Sequence, residues 1–283
     1  MAQLKDIKTR IDSVQKTRKM TQAMKMVAAA KFRRASDLAV NSRLYTDQLE
    51  SLLATLQQQA DTQGSPLLSI NKSNREAIII VSGDRGLCGG FNANIIKQAN
   101  IEMSEDAVQK DFFFWGVKAY QSLKNTSSAI KGHSGGLSDK STVADVQKLA
   151  KPIIDQYIDA RYSSVKLIYT SFKSATLSVP IVKQILPIKV ALSKQNNIDY
   201  FIDPNPEQVL DILAEDYVNL MLYRGVLESF ASEQRSRMVA MDSATDNAKD
   251  MINALKLQYN RLRQAQITTE LSEIVAGAEA LVQ

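Results

Sequence analysis

From Leu210 onward, apolar residues recur at alternating spacings of three and four. The slots are Leu210, Leu213, Tyr217, Leu220, Arg224, Leu227, Ala231, Gln234, Met238, Met241, Thr245, Ala248, Ile252, Leu255, Tyr259 and Leu262, and only Arg224, Gln234 and Thr245 among them are polar. A repeat of 3.5 residues held this long predicts a left-handed coiled coil. No proline follows Pro206, and Gly225 is the only glycine of the segment before Gly277. One helix over 210–282 would be roughly 110 Å long, beyond any dimension of a compact globule of this chain length. Residues 3–57 predict a second helix of roughly 80 Å. Leu4, Ile7, Ile11 and Val14 run 3-4-3, the pattern then shifts phase through Met20, Met24 and Val27, and no glycine or proline precedes Gly64. The two helices are joined by a whole domain, so they are expected to pair antiparallel.

The middle reads as α/β. EAIIIV (76–81) is a short apolar strand followed by SGDRGLCGGF, and 91–104 is a helix. KDFFFWG (110–116) is a second buried strand, 117–125 a short helix and 128–133 a third strand. Residues 142–162 form an amphipathic helix with a kink or break expected at Pro152. Residues 164–173 alternate as a strand, with 176–188 its hairpin partner, and Pro180 and Pro187 suit an edge. DPNPEQ (203–208) is a turn and then a helix start. Strands alternating with helices predict a mostly parallel sheet with an antiparallel edge. The expected fold class is a Rossmann-like α/β central domain plus a long antiparallel coiled coil of the two chain ends. The boundaries are 1–60, 61–206 and 207–283.

Charge divides along the same lines. The net of +5 over 283 residues separates into +8 for residues 1–45, +2 for 46–206 and −5 for 207–283. A basic amino end and an acidic carboxyl end suit two helices that lie together. One Cys and one His exclude a disulfide framework and most metal clusters. No stretch approaches a membrane span. The start MAQLKDIKTRID has no apolar h-region, which excludes a signal peptide and favours a cytoplasmic, bacterial protein.

Candidate chemistry is sparse. Gly83, Gly86, Gly89 and Gly90 lie between a strand and a helix, where backbone N–H groups cradle phosphate. Their spacing matches neither GxGxxG nor GxxxxGK[ST], so a tight turn is the plainer account. Cys88 would need a base, and His133 sits in a separate GHSGG turn. Acid pairs such as Glu215–Asp216 and Glu105–Asp106 read as solvated faces. The stretch KMTQAMKMVAAAKFRRA (19–35) carries Met20, Met24 and Met26, then Val27 to Ala30, a thin and adaptable helix surface. Lys25, Lys31, Arg33 and Arg34 beside it suit acidic partners. Near the end, the seam slots turn polar at Gln266 and Thr269, and Leu271, Ile274, Val275 and Leu281 continue on a helix whose partner is exhausted. A lone helix of that kind is unstable in water, so it is expected to enter another protein. Two other readings stay open on the residues alone. One is a nucleotide-binding Rossmann protein with helical arms. The other is a coiled-coil nucleic-acid-binding protein using the +8 end, which lacks interleaved aromatics.

Three blocks carry a resemblance: IDSVQKTRKMTQAMKMVAAAKFRRA (11–35), SGDRGLCGGFNANI (82–95) and NRLRQAQITTELSEIVAGAEAL (260–281). Together, in this order, they resemble the gamma subunit of F-type ATP synthase, bacterial type, from end to end. The resemblance implies a central rotor shaft that couples proton flow through the membrane c-ring to ATP synthesis or hydrolysis at the alpha and beta catalytic subunits. It implies a protein without catalytic residues, cofactor or metal of its own. Its partners would be alpha, beta, epsilon and the c-ring, with no nucleic acid and no lipid insertion. It would lie peripherally on the cytoplasmic side of the inner (plasma) membrane. By resemblance, Arg263, Gln264 and Thr268 match positions that hydrogen-bond the catch loops of the catalytic subunits, with Met24 and Lys25 on the facing amino-terminal helix. Asp84, Arg85 and Cys88 match a loop near epsilon. Gly83 and Phe91 vary within that loop. The chloroplast members' redox insert with its Cys pair is absent, so thiol regulation is not expected.

Overall fold

In chain order the elements are α1 (Ala2–Gln59), β1 (Arg75–Val81), α2 (Phe91–Met103), β2 (Gln109–Trp115), α3 (Val117–Leu123), β3 (Ile130–Ser134), α4 (Val143–Ile158), β4 (Ser164–Phe172), β5 (Ser178–Leu186) and α5 (Pro206–Val282). The computed structural model describes residues 2–59, 65–105, 108–126, 129–138, 140–172, 178–189 and 205–282, without the side chains of 2, 3, 58, 59, 206 and 277–282. The expected packing of Leu281, the start of the 203–208 turn and Asp106 of the Glu105–Asp106 pair lie outside the described residues. Contacts group the chain into a helical unit, Met1–Ala28 with Met238–Gln283, and an α/β unit, Ala29–Arg237.

In the helical unit the start of α1 and the end of α5 run antiparallel. The hydroxyls of Thr21 and Thr245 lie 2.8 Å apart, and Lys25 Nζ meets Asp242 Oδ1 at 2.5 Å. On α5 the expected slots from Met238 to Leu262 are all buried or half-buried. On α1 the seam differs from the expected one. It does not shift phase but continues through Arg18, Thr21, Lys25 and Ala28, while Met20 and Val27 are each 57 % exposed. The reason is that polar residues occupy the slots in satisfied form. Either threonine can bond its own helix, Thr21 to Arg18 O and Thr245 to Met241 O, so a single proton across the seam suffices. Lys25 lays an apolar stem in the seam and carries its charge to Asp242.

The α/β unit is a five-stranded sheet of order β3-β2-β1-β4-β5. Only the β4–β5 pair is antiparallel. Pro180 lies on edge strand β5, where its missing N–H breaks no inner ladder. β1 is central and covered on both faces, which explains its unbroken apolar run. Ile78 and Ile80 face Ile95 and Ala99 of α2 and Ala119 and Leu123 of α3. Ala77, Ile79 and Val81 belong to the larger core with α4, with Leu49, Leu53 and Leu56 of α1, and with α5.

That last contribution makes α5 more than one strand of a coil. From Tyr217 to Gln234 it is buried almost all round, Glu228, Ser229, Ser232 and Glu233 included. Gly225 permits the approach, since a Cβ there would lie 2.6 Å from Leu167 Cδ2. Ser229 Oγ accepts from Thr170 N at 3.1 Å. Glu228 accepts from Phe172 N at 2.9 Å and pairs with Arg43 at 2.9 Å and Arg224 at 3.0 Å. Arg224 also donates to Thr46 and Asp47, each at 2.8 Å. Its polar slot is therefore a satisfied junction of α1, α5 and β4. Among the described ion pairs, Lys25–Asp242 and Arg43–Glu228 join a base of the amino end to an acid of the carboxyl end, while the Arg224–Asp47 pair reaches beyond the basic end into the middle segment. Burial, with the Glu228 charge next in order, pushes the Tyr169 hydroxyl up to about 12.

α4 starts where the sequence demands it. Thr142 and Asp145 form a capping box. Pro152 lies inside α4 and does not break it; the buried face of Val146, Ala150, Ile153, Ile154 and Tyr157 holds the helix on the sheet. The helix ends at Ile158, four residues before the expected 162, and Ala160 takes a left-handed φ of 56°.

Candidate functional site: the exposed end of α5 and the loop after β1

The paired seam gives out at Leu262. Beyond it Gln266 is half-buried, and Arg263, Gln264, Thr268 and Thr269 are exposed. The hydroxyls of Thr268, Thr269 and Ser272 donate to carbonyls one turn back, and Gln266 donates to Glu270 at 2.8 Å. Arg263 and Gln264 are exposed on the helix. Ile267, Leu271, Ile274 and Val275 are also exposed. This stretch therefore offers polar and apolar groups together to a neighbour. Met24 and Lys25 are half-buried on α1. Lys25 faces Asp242, which lies roughly 30 Å along α5 from Arg263. The structure thus forms two separate patches and does not bring Met24 and Lys25 opposite Arg263 and Gln264.

The loop after β1 lies at the carboxyl end of a central parallel strand, the usual ligand position of a doubly wound sheet. Its interior is filled from α5. A Cβ on Gly83 would sit 3.0 Å from Glu233 Oε1 and 3.1 Å from Asn92 Oδ1, and Gly83 N donates to that Asn92 oxygen at 3.0 Å. A buried carboxylate where a phosphate would rest argues against the nucleotide reading. Glu233 is bound by Arg237 at 2.7 Å, and Arg237 also donates to Gly86 O at 3.3 Å. Burial pushes the Glu233 carboxyl above its ordinary value, Arg237 opposes this, and Asp84 adds to it.

Asp84 turns inward. Its Oδ1 accepts from Val117 N at 3.1 Å, so it holds the first turn of α3. Cys88 is buried, 3.3 Å from Asn92 Nδ2. Burial, then the Glu233 charge, pushes its thiol up. His133 instead stacks on Tyr120, with centroids 4.8 Å apart. Cys88 is thus seated as a core residue and not as an activated nucleophile. Among the described residues, no group of three or more His, Cys, Asp or Glu side chains is placed to hold a metal, and no helix is long and apolar enough to cross a membrane. Of the loop side chains, Arg85 and Leu87 are exposed. Leu87, with φ of 62°, is an exposed apolar side chain that the sequence reading does not single out. Its signal is an apolar side chain between glycines at a loop tip.

Residues 3–281 match the profile of the family described as ATP synthase. The chain is 41 % identical over 288 residues to the ATP synthase gamma chain of Geotalea uraniireducens, covering 99 % of both. The chain belongs to the ATP synthase gamma family. It is also 38 % identical to the gamma chain of Moorella thermoacetica, over 99 % of this chain and all of that one. A chain in the cryo-EM structure of the central stalk and c-ring of the Tetrahymena thermophila mitochondrial ATP synthase superposes with a TM-score of 0.61 at 25 % identity, covering 80 % of this chain and 99 % of that one. A chain of the Euglena gracilis mitochondrial ATP synthase gives 0.71 at 15 % identity, over 99 % and 95 %, which is a likeness of fold.

The burial of Glu233 makes a pH prediction for this gamma chain. Its folded pKa is raised above the ordinary 4.5, so its favourable contribution is complete below that value and is lost as pH rises through the raised one. Glu233→Gln removes the titration. Urea midpoints measured from about pH 4 to about pH 8 are expected to fall in the wild type relative to the variant as pH rises. A constant difference would refute the assignment.

Proposed function

We propose that this chain is the central rotor shaft of a proton-driven F-type ATP synthase. It carries no catalytic residue of its own and lies peripherally at the cytoplasmic side of the membrane. The observation that carries this is the end of the seam. After Leu262 the helix continues with Ile267, Leu271, Ile274 and Val275 exposed, and such a helix needs a protein sleeve in water. The alpha and beta subunits supply that sleeve, and the lower surfaces engage epsilon and the c-ring. Arg263, Gln264 and Thr268 hold the catch loops of the catalytic subunits, and Met24 and Lys25 form a second contact nearer the α/β unit in sequence. The loop of Asp84, Arg85 and Cys88 meets epsilon, with Arg85 and Leu87 as its touching side chains.

The physics of the shaft is differential contact. A rotor shifts each catalytic site only by the difference in its contact energy between one rotor face and another. α1 and α5 present unlike faces, so three surrounding sites would never meet the same surface at once. Paired helices resist bending, which lets torque pass along them.

The test is the double variant Arg263→Ala with Gln264→Ala in the reassembled complex. Both side chains are exposed, so the stability of the isolated chain from urea unfolding should stay within about 0.5 kcal/mol of wild type. Charge-assisted contacts contribute about 1.5–3 kcal/mol each, so ATP-driven proton pumping should fall about tenfold or more. Full coupling by the variant, or failure of the chain to co-assemble with alpha and beta, would overturn the reading.

A further inference from the structure

A second site lies where α2, the β4–β5 pair and α5 converge. A cavity of about 100 Å³ is lined by Gly90, Phe91, Asn94, Thr170, Ser178, Pro180, Ser232 and Ser236. All belong to the α/β unit. No charged side chain lines it, and four of its eight lining residues, Thr170, Ser178, Ser232 and Ser236, carry hydroxyls. Two of these are orphans. Ser232 is only 2 % exposed, and its Oγ has no hydrogen-bond partner; Ser178 Oγ is likewise buried and unpaired. Orphaned buried hydroxyls are costly, so two in one cavity call for an occupant.

The wall opposite is a helix start. α2 has thirteen residues, Gly90 is its N-cap, and no side chain caps it. Phe91 N donates to Cys88 O at 3.2 Å and Asn94 N to Gly90 O at 2.9 Å, so this helix end acts on the cavity through the partial positive charge of its dipole, which favours an anion. Asn94 in the lining offers an amide donor, and Ser236, which spends its proton on Cys88 O at 2.5 Å, lies on the α5 side. The neighbouring carboxylate of Glu233 turns away onto Gly83 and is compensated by Arg237 at 2.7 Å.

We infer that this cavity binds a small tetrahedral oxyanion of the phosphate or sulfate type, held by Ser232, Ser178 and the amino end of α2. Sites for larger ligands run to about 300–1,000 Å³, so a whole nucleotide does not fit. Binding joins α2 and β5 to α5 and is independent of the coupling role of the shaft.

The test is phosphorus NMR of inorganic phosphate with the purified full chain. Phosphate should broaden saturably at millimolar concentration or below, sulfate should compete, and ATP and ADP should not. Ser232→Ala and, separately, Ser178→Ala should each weaken phosphate binding about tenfold, the loss of one charge-assisted hydrogen bond. If Ser232→Ala does not fold, Ser178→Ala alone decides. Absence of saturable broadening in the wild type, undiminished binding in the folded variants, or competition by nucleotide equal to that by sulfate would each overturn the assignment.

Discussion

Glu228→Ala is expected to destabilise the chain by about 3–5 kcal/mol, the cost of breaking a buried ion pair. The carboxylate is fully buried and serves three donors: Arg43 at 2.9 Å, Arg224 at 3.0 Å and the backbone of Phe172 at 2.9 Å. Its removal leaves the Phe172 N–H without that acceptor and Arg224, with a side chain only 13 % exposed, short of charge. Thr46 and Asp47 still hold Arg224, which places the expected loss toward the lower end of the range. Glu228→Gln keeps the shape and an acceptor and should lose less. The measurement is the urea midpoint of the full chain. A midpoint for Glu228→Ala equal to wild type would show that α5 is not anchored to β4 through this group.

Gly116→Ala should abolish cooperative folding. Gly116 takes φ 97° and ψ 156°, a region open essentially to glycine alone. A Cβ there would lie 2.0 Å from the carbonyl oxygen of Ser82. Neither group can retreat. Ser82 N donates to Trp115 O at 2.8 Å, Lys118 N to Gly83 O at 3.0 Å and Ala119 N to Ser82 Oγ at 3.1 Å. Those bonds tie the ends of β1 and β2 to the first turn of α3. The strain and the clash together exceed about 4 kcal/mol, a large share of the stability of an ordinary domain. The expected result is insoluble protein or a broad, non-cooperative unfolding curve. Gly132→Ala is the control: nothing lies within 4 Å of its Cβ position, and its stability should change by about 0.5 kcal/mol or less. Soluble, cooperative Gly116→Ala protein would contradict the geometry at this crossing.

The coil was legible on α5 because its slots are mostly apolar and burial there follows composition. On α1 the same repeat was obscured between residues 18 and 28. Arg18, Thr21 and Lys25 hold the seam while Met20 and Val27 face outward, and a scale of hydrophobicity cannot register a hydroxyl satisfied by a threonine 224 residues away. The sheet and its antiparallel edge followed from the lengths and composition of the apolar runs. The projecting end of α5 was legible in the pattern, where the seam turns polar at Gln266 and Thr269, but the site residues on it were read from the resemblance. Arg263 and Gln264 are two polar residues among many, and only the end of the seam beneath them marks the place. Asp84 and Cys88 were grouped with Arg85 by motif, yet one caps α3 and the other is buried.

By itself the sequence determined what depends on near neighbours: the 3.5-residue repeat, the buried strands, the capping box at Thr142 and the family. Local spacing sets which face of an element is apolar, and that information lies within a few turns of chain. The tertiary structure alone decided what depends on distant pairs. It placed residues 217–234 of α5 in the core of the sheet, gave Glu228 its two arginines, filled the loop after β1 with Glu233 and separated Lys25 from Arg263. Apart from Arg224, one helical turn from Glu228, each sets how residues far apart in the chain lie to one another, and whether a buried charge or hydroxyl is tolerable depends wholly on what meets it there.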